Sequence, residues 1–249
     1  MTRLKAATTH LLISAALSTV VICLLLFGWY PLPFFWALGG LMLLALIIGI
    51  DVVLGPVMTL ILFNPKKSRR ALAVDLSLIA IVQISALCYG LYSGYVSRLV
   101  FSVFDGKSFQ LVQAADVAGN FLKETKLPQY QTLPLIGYRA AALVVPNDSK
   151  TNSDLAFFKA LGVGPQAMPN YYVPLTQVRT ALGQATIPAE QLQQRHSALF
   201  GKIDALRREQ HLQWQQVAVL PFNVRTTIYT AVVNLDSGAL LKVLAGNPG

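Results

Sequence analysis

The feature that most constrains this chain is a short basic segment that stands between two long apolar stretches. Its residues are Lys66-Lys67-Ser68-Arg69-Arg70. Residues 1–97 hold only eight charged side chains, and four of them lie in this segment. A helix needs about 20 apolar residues to cross a bilayer core of about 30 Å. Apolar runs of that length, broken only by a cationic loop, predict a membrane anchor and not a soluble domain.

The anchor is predicted to have three membrane-spanning helices within residues 1–97. Their predicted bounds are 8–29, 35–63 and 71–95. Cations mark the side of the membrane that faces the cytoplasm, so we expect the basic segment and the N-terminus, with Arg3 and Lys5, to lie there. The loop at 28–35 is uncharged and aromatic, which is typical of the outer interface. In a bacterium, three crossings place the anchor in the inner membrane and residues 98–249 in the periplasm.

Residues 98–249 have the composition of an ordinary soluble domain, and we predict an α+β fold with an antiparallel sheet and a few helices. Asp105-Gly106 lies between two apolar runs and predicts a hairpin turn. A long helix is expected over Pro188–Gln210. Three terminal strands are predicted, over 216–222, 226–235 and 239–244. The Tyr171-Tyr172 pair is expected either to pack locally or to contact a partner.

The net charge of +9 does not predict a nucleic-acid-binding protein. Nearly half of the excess lies beside the predicted spans, where membrane topology explains it. The two cysteines, Cys23 and Cys88, both fall in apolar runs and are expected to be free thiols. We therefore expect the lipid bilayer, and no nucleic acid, as a partner.

Asp51 is the most unusual residue of the predicted spans. Counting from the cytoplasmic end of the second span places it about 18 Å deep. An isolated charge at mid-membrane costs at least about 2.5–3.5 kcal/mol, so Asp51 is expected to face protein. The same counting puts Gln83 and Ser18/Thr19 level with it. This polar layer could bind the three helices together, or it could contact a partner.

The second and third spans contain two further features with structural consequences, a proline and a second acid. Pro56, after Gly55, cannot donate a backbone hydrogen bond, so a bend is expected near 52–56 that frees the carbonyl of Val52. Thr59 is expected to ease the bend by bonding back to the carbonyl of Gly55 or Pro56. Asp75 lies near the cytoplasmic end of its span, and we expect an ion pair with Lys67, Arg69 or Arg70.

No residue pattern in the chain predicts catalysis, a cofactor or a metal. His196 and His211 are 15 residues apart and have no carboxylates at ligand spacing. Asp51 and Asp75 differ in depth by roughly 12 Å, which is too far for a shared-proton pair of an aspartyl protease. We expect a protein that acts by binding.

A spaced set of residues in the membrane half resembles the type IV pilin accessory protein family TfpX/TfpZ. The matching positions are His10-Leu11-Leu12-Ile13-Ser14, Trp29-Tyr30-Pro31, Asp51, Leu54-Gly55-Pro56, Thr59, Phe63-Asn64-Pro65, Lys67, Asp75-Leu76, Ile79-Ala80, Gln83 and Tyr89-Gly90. The likeness is looser in the outer domain, where it rests on the Phe104-Asp105 hairpin and the terminal strands.

The resemblance implies a non-enzymatic inner-membrane protein that assists or modulates the assembly or stability of a cognate type IV pilin. Its partner would be that pilin, contacted at both its membrane helix and its periplasmic head. The family supplies no residue mechanism, so the matched positions are candidates for partner contact or helix packing. They are Asp51, Gly55, Pro56, Thr59, Asp75, Gln83 and Tyr89.

Two other functions remain open from the sequence. A membrane-anchored periplasmic ligand sensor would need a signalling output, although the cytoplasmic parts are short. A small ion or solute transporter could use the Asp51 layer, although three spans would require an oligomer.

Overall fold

The computed structural model describes residues 2–117 and 119–249. The chain divides into two compact units, Met1–Arg98 and Leu99–Gly249. The first holds three long apolar helices, and the second holds a seven-stranded sheet with several helices. The predicted α+β class with three candidate membrane spans is confirmed. We describe each unit by itself.

The first span is one continuous apolar helical segment, Arg3–Trp29. Its α-helical part is α1, Arg3–Cys23, and the last turns, Leu24–Trp29, are π-helical. Thr2 caps the start by accepting a hydrogen bond from the backbone N–H of Lys5 at 3.3 Å. The helix thus begins five residues before the predicted start of the span. Its first turn includes Arg3 and Lys5.

The second span runs over Gly40–Leu62, after the short helix α2, Phe34–Ala37. It consists of α3, Gly40–Ile47, a π-helical stretch, Ile48–Leu54, and α4, Gly55–Leu62. The span begins later than predicted because Gly39, at φ 80°, breaks the helix. A π-helical stretch, Ile48–Leu54, directly precedes Gly55-Pro56, where a bend was predicted.

The third span is a single helix, α5, Arg69–Val96, capped by Ser68, whose hydroxyl accepts from the N–H of Ala71. Gly94 allows it to pack closely on the end of the first span. A Cβ built there would lie 3.0 Å from Cδ2 of Leu25 and 3.2 Å from Cε3 of Trp29. The Tyr30 hydroxyl donates to the Gly94 carbonyl at 3.3 Å. Small residues of this kind let membrane helices approach closely.

The loop aromatics expected at an outer interface are mostly turned inward. Tyr30, Phe34 and Phe35 are each about 1% exposed, whereas Trp36 is 62% exposed. Tyr30 and Phe35 pack edge to face with ring centroids 6.5 Å apart. These rings therefore stabilise the end of the helical unit.

The second unit is built on a mixed sheet with the strand order β4-β3-β1-β2-β5-β6-β7. The strands are β1 Leu99–Phe104, β2 Phe109–Gln113, β3 Arg139–Leu143, β4 Tyr172–Val173, β5 Val217–Val224, β6 Thr227–Asn234 and β7 Leu240–Ala245. Four of the strand pairs in the described residues are antiparallel, as predicted, but β1 pairs with β3 and β2 with β5 in parallel, which the sequence did not predict. Both parallel pairs join strands that long connections separate, as crossover connections require.

The hairpins predicted from turn residues are confirmed. Asp105 accepts hydrogen bonds from the N–H groups of Lys107 and Ser108, and Gly106 adopts φ 99° between β1 and β2. Strands β5, β6 and β7 follow one another as antiparallel neighbours. Each lies within two residues of its predicted bounds.

In the described part of the second unit, five α-helices accompany the sheet. They are α6 Gly119–Lys123, α7 Ser149–Ala160, α8 Arg179–Ala185, α9 Ala189–Arg195 and α10 Ser197–Glu209. The single helix predicted over Pro188–Gln210 was wrong. His196 leaves the helical region at φ −137° and ψ 56° and divides α9 from α10. Leu192 and Ile203, from either side of this break, pack with Val219 and Val232 in one apolar core.

Candidate functional site

A chain of polar side chains joins all three candidate spans. The imidazole of His10, on α1, contacts the Thr59 hydroxyl through Nδ1 at 2.6 Å. Its Nε2 lies 2.8 Å from Oε1 of Gln83, on α5. Gln83 Nε2 in turn donates to the backbone carbonyl of Asp51 at 3.1 Å. We call these four residues the polar cluster. Each of these bonds links residues of different spans.

The backbone of the second span explains why the Asp51 carbonyl needs a side-chain donor. In the π-helical stretch the N–H of Gly55 donates to the carbonyl of Ile50, five residues back. The next donor in this register would be Pro56, which has no N–H. The carbonyl of Asp51 is therefore left for Gln83. The carbonyl expected to lose its donor was that of Val52, which is the partner of Pro56 in an α-helical register. In the π-helical register that partner is the carbonyl of Asp51.

Gly55 makes room for the Gln83 side chain. A Cβ built on Gly55 would lie 2.6 Å from Cδ of Gln83 and closer still to its Nε2. Contacts under about 3 Å are not tolerated by real Cβ atoms, so any larger residue would displace the amide. Gly55 and Pro56 are both buried, and each shapes the cluster through the backbone. Neither offers a side-chain polar group to a partner.

The hydrogen bonds assign the proton on His10. The Asp51 carbonyl can only accept, so the NH₂ group of Gln83 faces Asp51 and its oxygen faces His10. Nε2 of His10 must then donate to Gln83. In the neutral ring Nδ1 accepts from the Thr59 hydroxyl. Thr59 therefore bonds to His10, and the expectation that it bonds back to its own helix was wrong.

Asp51 itself is buried at 4% exposure, as expected for a membrane carboxylate that faces protein. Its Oδ2 accepts no hydrogen bond within the described part of the chain. His10 is a titratable side chain that interacts with it electrostatically. The predicted link between Gln83 and Asp51 exists, but it runs through the main chain and not the carboxylate.

The first span contributes serines to the same interface. From the His10–Thr59 contact, one turn along two antiparallel helices places Ser14 opposite Gly55, and the next places Ser18 opposite Asp51. Both serines are buried, at 6% and 2% exposure. Thr19, the other candidate, is exposed and bonds to the carbonyl of Ala15. Of the pair Ser18/Thr19, only Ser18 faces the bundle.

Asp75 pairs with Lys67, as predicted. The ammonium of Lys67 lies 2.5 Å from Oδ2 of Asp75 and also donates to the carbonyl of Leu62. The other cations that were assigned to topology are all exposed. They are Arg3, Lys5, Lys66, Arg69 and Arg70.

Tyr89 lies apart from the polar cluster. Its side chain is 66% exposed, as is that of Tyr92 one turn nearer the C-terminus. Across α5, all of which the structure describes, only Ile79, Gly90 and Gly94 are buried. Of the seven candidate positions for partner contact or helix packing, Tyr89 is thus the one whose side chain is exposed to meet lipid or another helix.

His10 is the cluster member that the sequence reasoning missed. It appeared only as one of the residues that carry the family likeness. Two features of the sequence could have indicated it. His10 lies near the start of the first span, and its spacing of four from Ser14, and of Ser14 from Ser18, puts all three on one helical face. A histidine on the polar stripe of an otherwise apolar helix predicts a buried partner.

In the second unit, the two adjacent tyrosines have different environments. Tyr171 lines a cavity of about 330 Å³, together with Glu124 and Asp154. Tyr172 is buried, and its hydroxyl donates to the carbonyl of Gln166. Burial raises the pKa of the Tyr172 phenol well above its usual range. In the residues that the structure describes, no group of three or more His, Cys, Asp or Glu could hold a metal.

Comparison with known proteins gives a consistent set of relatives. The fimbrial assembly protein of serogroup E1 from Dichelobacter nodosus is 35% identical over 139 residues, which are 56% of this chain and 54% of that protein. The serogroup I protein of the same organism is 34% identical over an equal length. This chain thus spans about half the length of these two relatives. No family model and no solved structure matches it.

A shorter relative is covered almost completely. The fimbrial assembly protein of serogroups C1 and C2 from Dichelobacter nodosus is 38% identical over 113 residues, which are 45% of this chain and 86% of that protein. The chain belongs to the family of fimbrial assembly proteins.

Proposed function

We propose that this protein is an inner-membrane accessory protein that assists or modulates the assembly or stability of a cognate type IV pilin. It acts by binding and not by catalysis. The names of its relatives support a role in fimbrial assembly. The residue pattern of the membrane half supports the finer assignment to the TfpX/TfpZ accessory proteins.

The observation that carries the proposal is the exposed surface of α5. This apolar helix of 28 residues has only three buried residues. The other two spans bury more of their length against each other, and the polar cluster fixes their register. One long apolar helix is thus left with most of its surface available to a membrane helix of a partner. A pilin held in the membrane by one apolar helix would fit that surface.

The polar cluster has a supporting role in this proposal. Asp51 and Thr59 are at most 4% exposed, so a partner helix in the lipid does not reach them. Gln83, which fits beside Gly55, joins the second and third spans through the carbonyl of Asp51. These residues position α5, and we propose that Tyr89 and its exposed neighbours on α5 contact the pilin.

The proposed orientation follows from the distribution of charge. The end of the bundle that carries Arg3, Lys5 and residues 66–70 would face the cytoplasm. The opposite loop, 28–39, holds no charged residue. Residues 99–249 would then fold in the periplasm, as a domain of the right size to contact a pilin head. The membrane helix and this domain could engage one pilin at two places.

A strain that lacks this gene provides the test. We expect it to lose surface pili or pilin protein, and the full chain to restore them. Asp51→Asn should leave piliation intact, since the carboxylate does not face the partner. Normal pili in the deleted strain would contradict the proposal. Loss of an ion flux in the Asp51→Asn variant, with pili unaffected, would favour a transporter.

A further inference from the structure

Five cationic side chains at one end of the helical unit have no hydrogen-bond or ion-pair partner among the residues that the structure describes. They are Arg3, Lys5, Lys66, Arg69 and Arg70. Each is exposed. Across residues 2–117 and 119–249, none of these side chains makes a hydrogen bond or an ion pair. We call this set the basic patch.

The packing of the first two spans brings both parts of the patch to the same end. His10 contacts Thr59, and the two helices run in opposite directions. Arg3 precedes His10 by seven residues, and Lys66 follows Thr59 by seven. Arg3 therefore lies roughly 10 Å beyond that contact along α1. Lys66 lies four residues past the end of α4 at Leu62, at the same end of the helical unit. Ala6 and Phe63, which lie between, are both buried, as expected if the helices stay together to this end.

Lys67 does not belong to the patch, because its charge is already compensated. It pairs with Asp75 and donates to the carbonyl of Leu62. Asp75 is the only acid within the first 98 residues besides the buried Asp51. The patch therefore keeps five uncompensated positive charges.

Two of these charges lie at a helix N-terminus, where a positive charge is electrostatically unfavourable. Arg69 and Arg70 begin α5, and no acidic residue lies in its first turn. The N-terminus of a helix carries a partial positive charge, so cations there are destabilising. Membrane topology would be equally well served by cations elsewhere in the loop. An anionic partner beside the patch would offset this repulsion.

We propose that the basic patch binds the phosphate headgroups of anionic phospholipids. The patch lies at the end of an apolar bundle about as long as a bilayer is thick, which places it at headgroup depth. Each Lys or Arg near an anionic surface contributes about 1 kcal/mol to binding. The inference requires only that the helical unit spans a membrane, and it holds whether or not the partner is a pilin.

The test uses the full-length protein purified in zwitterionic detergent, titrated with phosphatidylglycerol or with phosphatidylcholine of the same acyl chains. The readout is the midpoint of thermal unfolding, which rises when a ligand binds the folded state. We expect phosphatidylglycerol to raise the midpoint and phosphatidylcholine to leave it unchanged. High salt should weaken the effect of phosphatidylglycerol, because these charges are exposed. Equal effects of the two lipids would overturn the proposal.

Variants separate the patch from overall charge. Lys66→Gln/Arg69→Gln/Arg70→Gln should lower the apparent affinity for phosphatidylglycerol by about two orders of magnitude. Lys107→Gln/Lys150→Gln/Lys202→Gln removes three exposed cations from the second unit. This control variant should keep the native affinity for phosphatidylglycerol. An equal loss in both variants would contradict the proposal. So would inorganic phosphate that reproduced the stabilisation, since the patch would then be a site for free phosphate. If the first variant does not fold, the salt dependence of phosphatidylglycerol binding to the native chain still tests the proposal. Stabilisation that high salt did not weaken would contradict it.

Discussion

Gln83 occupies the space that a side chain on Gly55 would need. A Cβ at position 55 would lie 2.6 Å from Cδ of Gln83. From this place the amide reaches both the carbonyl of Asp51 and the imidazole of His10. The glycine is thus a structural requirement of the contact among the three spans.

Substitution of Gly55 by alanine should destabilise the helical unit. The methyl group would displace Gln83 and break its two bonds, each worth about 0.6–2 kcal/mol. Alanine favours a helix by about 0.5–1 kcal/mol over glycine, so the net loss should be about 1–2 kcal/mol. Gly49→Ala, in the same span and with open space around it, is the matched control and should not be destabilising. Thermal unfolding in detergent measures both, and equal midpoints would contradict the contact.

The hydroxyl of Thr59 should matter more than that of another membrane threonine. Thr59→Val removes the partner of His10 Nδ1 from a buried site, and we expect a loss of about 1 kcal/mol in the free energy of unfolding. Thr19→Val removes a hydroxyl that bonds only to its own helix on an exposed face. The control should be neutral. A double-mutant cycle of Thr59→Val with His10→Ala would show no coupling if the bond does not form.

The two acids of the helical unit should respond to neutralisation with opposite signs. Asp51→Asn removes a buried carboxylate whose Oδ2 has no hydrogen-bond donor in the described residues, so we expect a stability gain of about 1–3 kcal/mol. Asp75→Asn breaks an ion pair with a partly exposed Lys67 and should cost at most about 1 kcal/mol. Chemical or thermal unfolding of both variants tests this. A marked loss of stability in Asp51→Asn would mean that the carboxylate is bonded.

The second unit should lose stability in acid through Asp204. Hydrogen bonds from Arg207, and the charge of Arg208, hold the pKa of this carboxyl below its usual value. A lowered pKa in the folded state gives stability that is fully present above the unfolded pKa of about 4 and is lost as the pH falls through the folded value. Asp204→Asn should therefore unfold at a lower temperature than the native chain at pH 7. The difference should shrink below pH 4.

Asp154→Asn is the matched control for that profile. Asp154 is exposed, and within the described chain it makes no ion pair. Its neutralisation should leave the midpoint at pH 7 unchanged. If the difference between native and Asp204→Asn proteins stayed constant from pH 7 to pH 2, Asp204 would not be the acid-sensitive group.

Features that depend on nearby residues could be predicted from the sequence. The three apolar spans follow from length and composition. An ion pair of Asp75 with a cation of the basic segment follows from its position near the end of its span, and the first hairpin follows from Asp105-Gly106. Each rests on local chemistry that a distant part of the chain does not alter.

The members of the polar cluster could not be predicted by counting residues from the ends of the predicted spans. The first helix starts at Arg3 and not at residue 8, and the π-helical stretch Ile48–Leu54 shifts the hydrogen-bond register. Counting depth from predicted span ends therefore placed Thr19 in the layer and left His10 out. The mixed sheet was missed for a similar reason. Parallel pairs such as β2 with β5 join strands about 100 residues apart, and only tertiary packing decides them.

The exposed face of α5 leads to a prediction about the pilin itself. A photoreactive amino acid at Tyr89 should crosslink to the pilin in cells, because this side chain is 66% exposed on the proposed contact helix. Val20, on α1, is 67% exposed and serves as the control with equal access to the lipid. The two positions test contact with a particular helix and not mere presence in the same membrane.

That crosslinking experiment tests the central claim most directly. The proposed function predicts a covalent adduct with the cognate pilin at Tyr89 and little or none at Val20, at equal expression of both variants. No pilin adduct at Tyr89, or equal adducts at the two positions, would contradict specific binding of the pilin by α5.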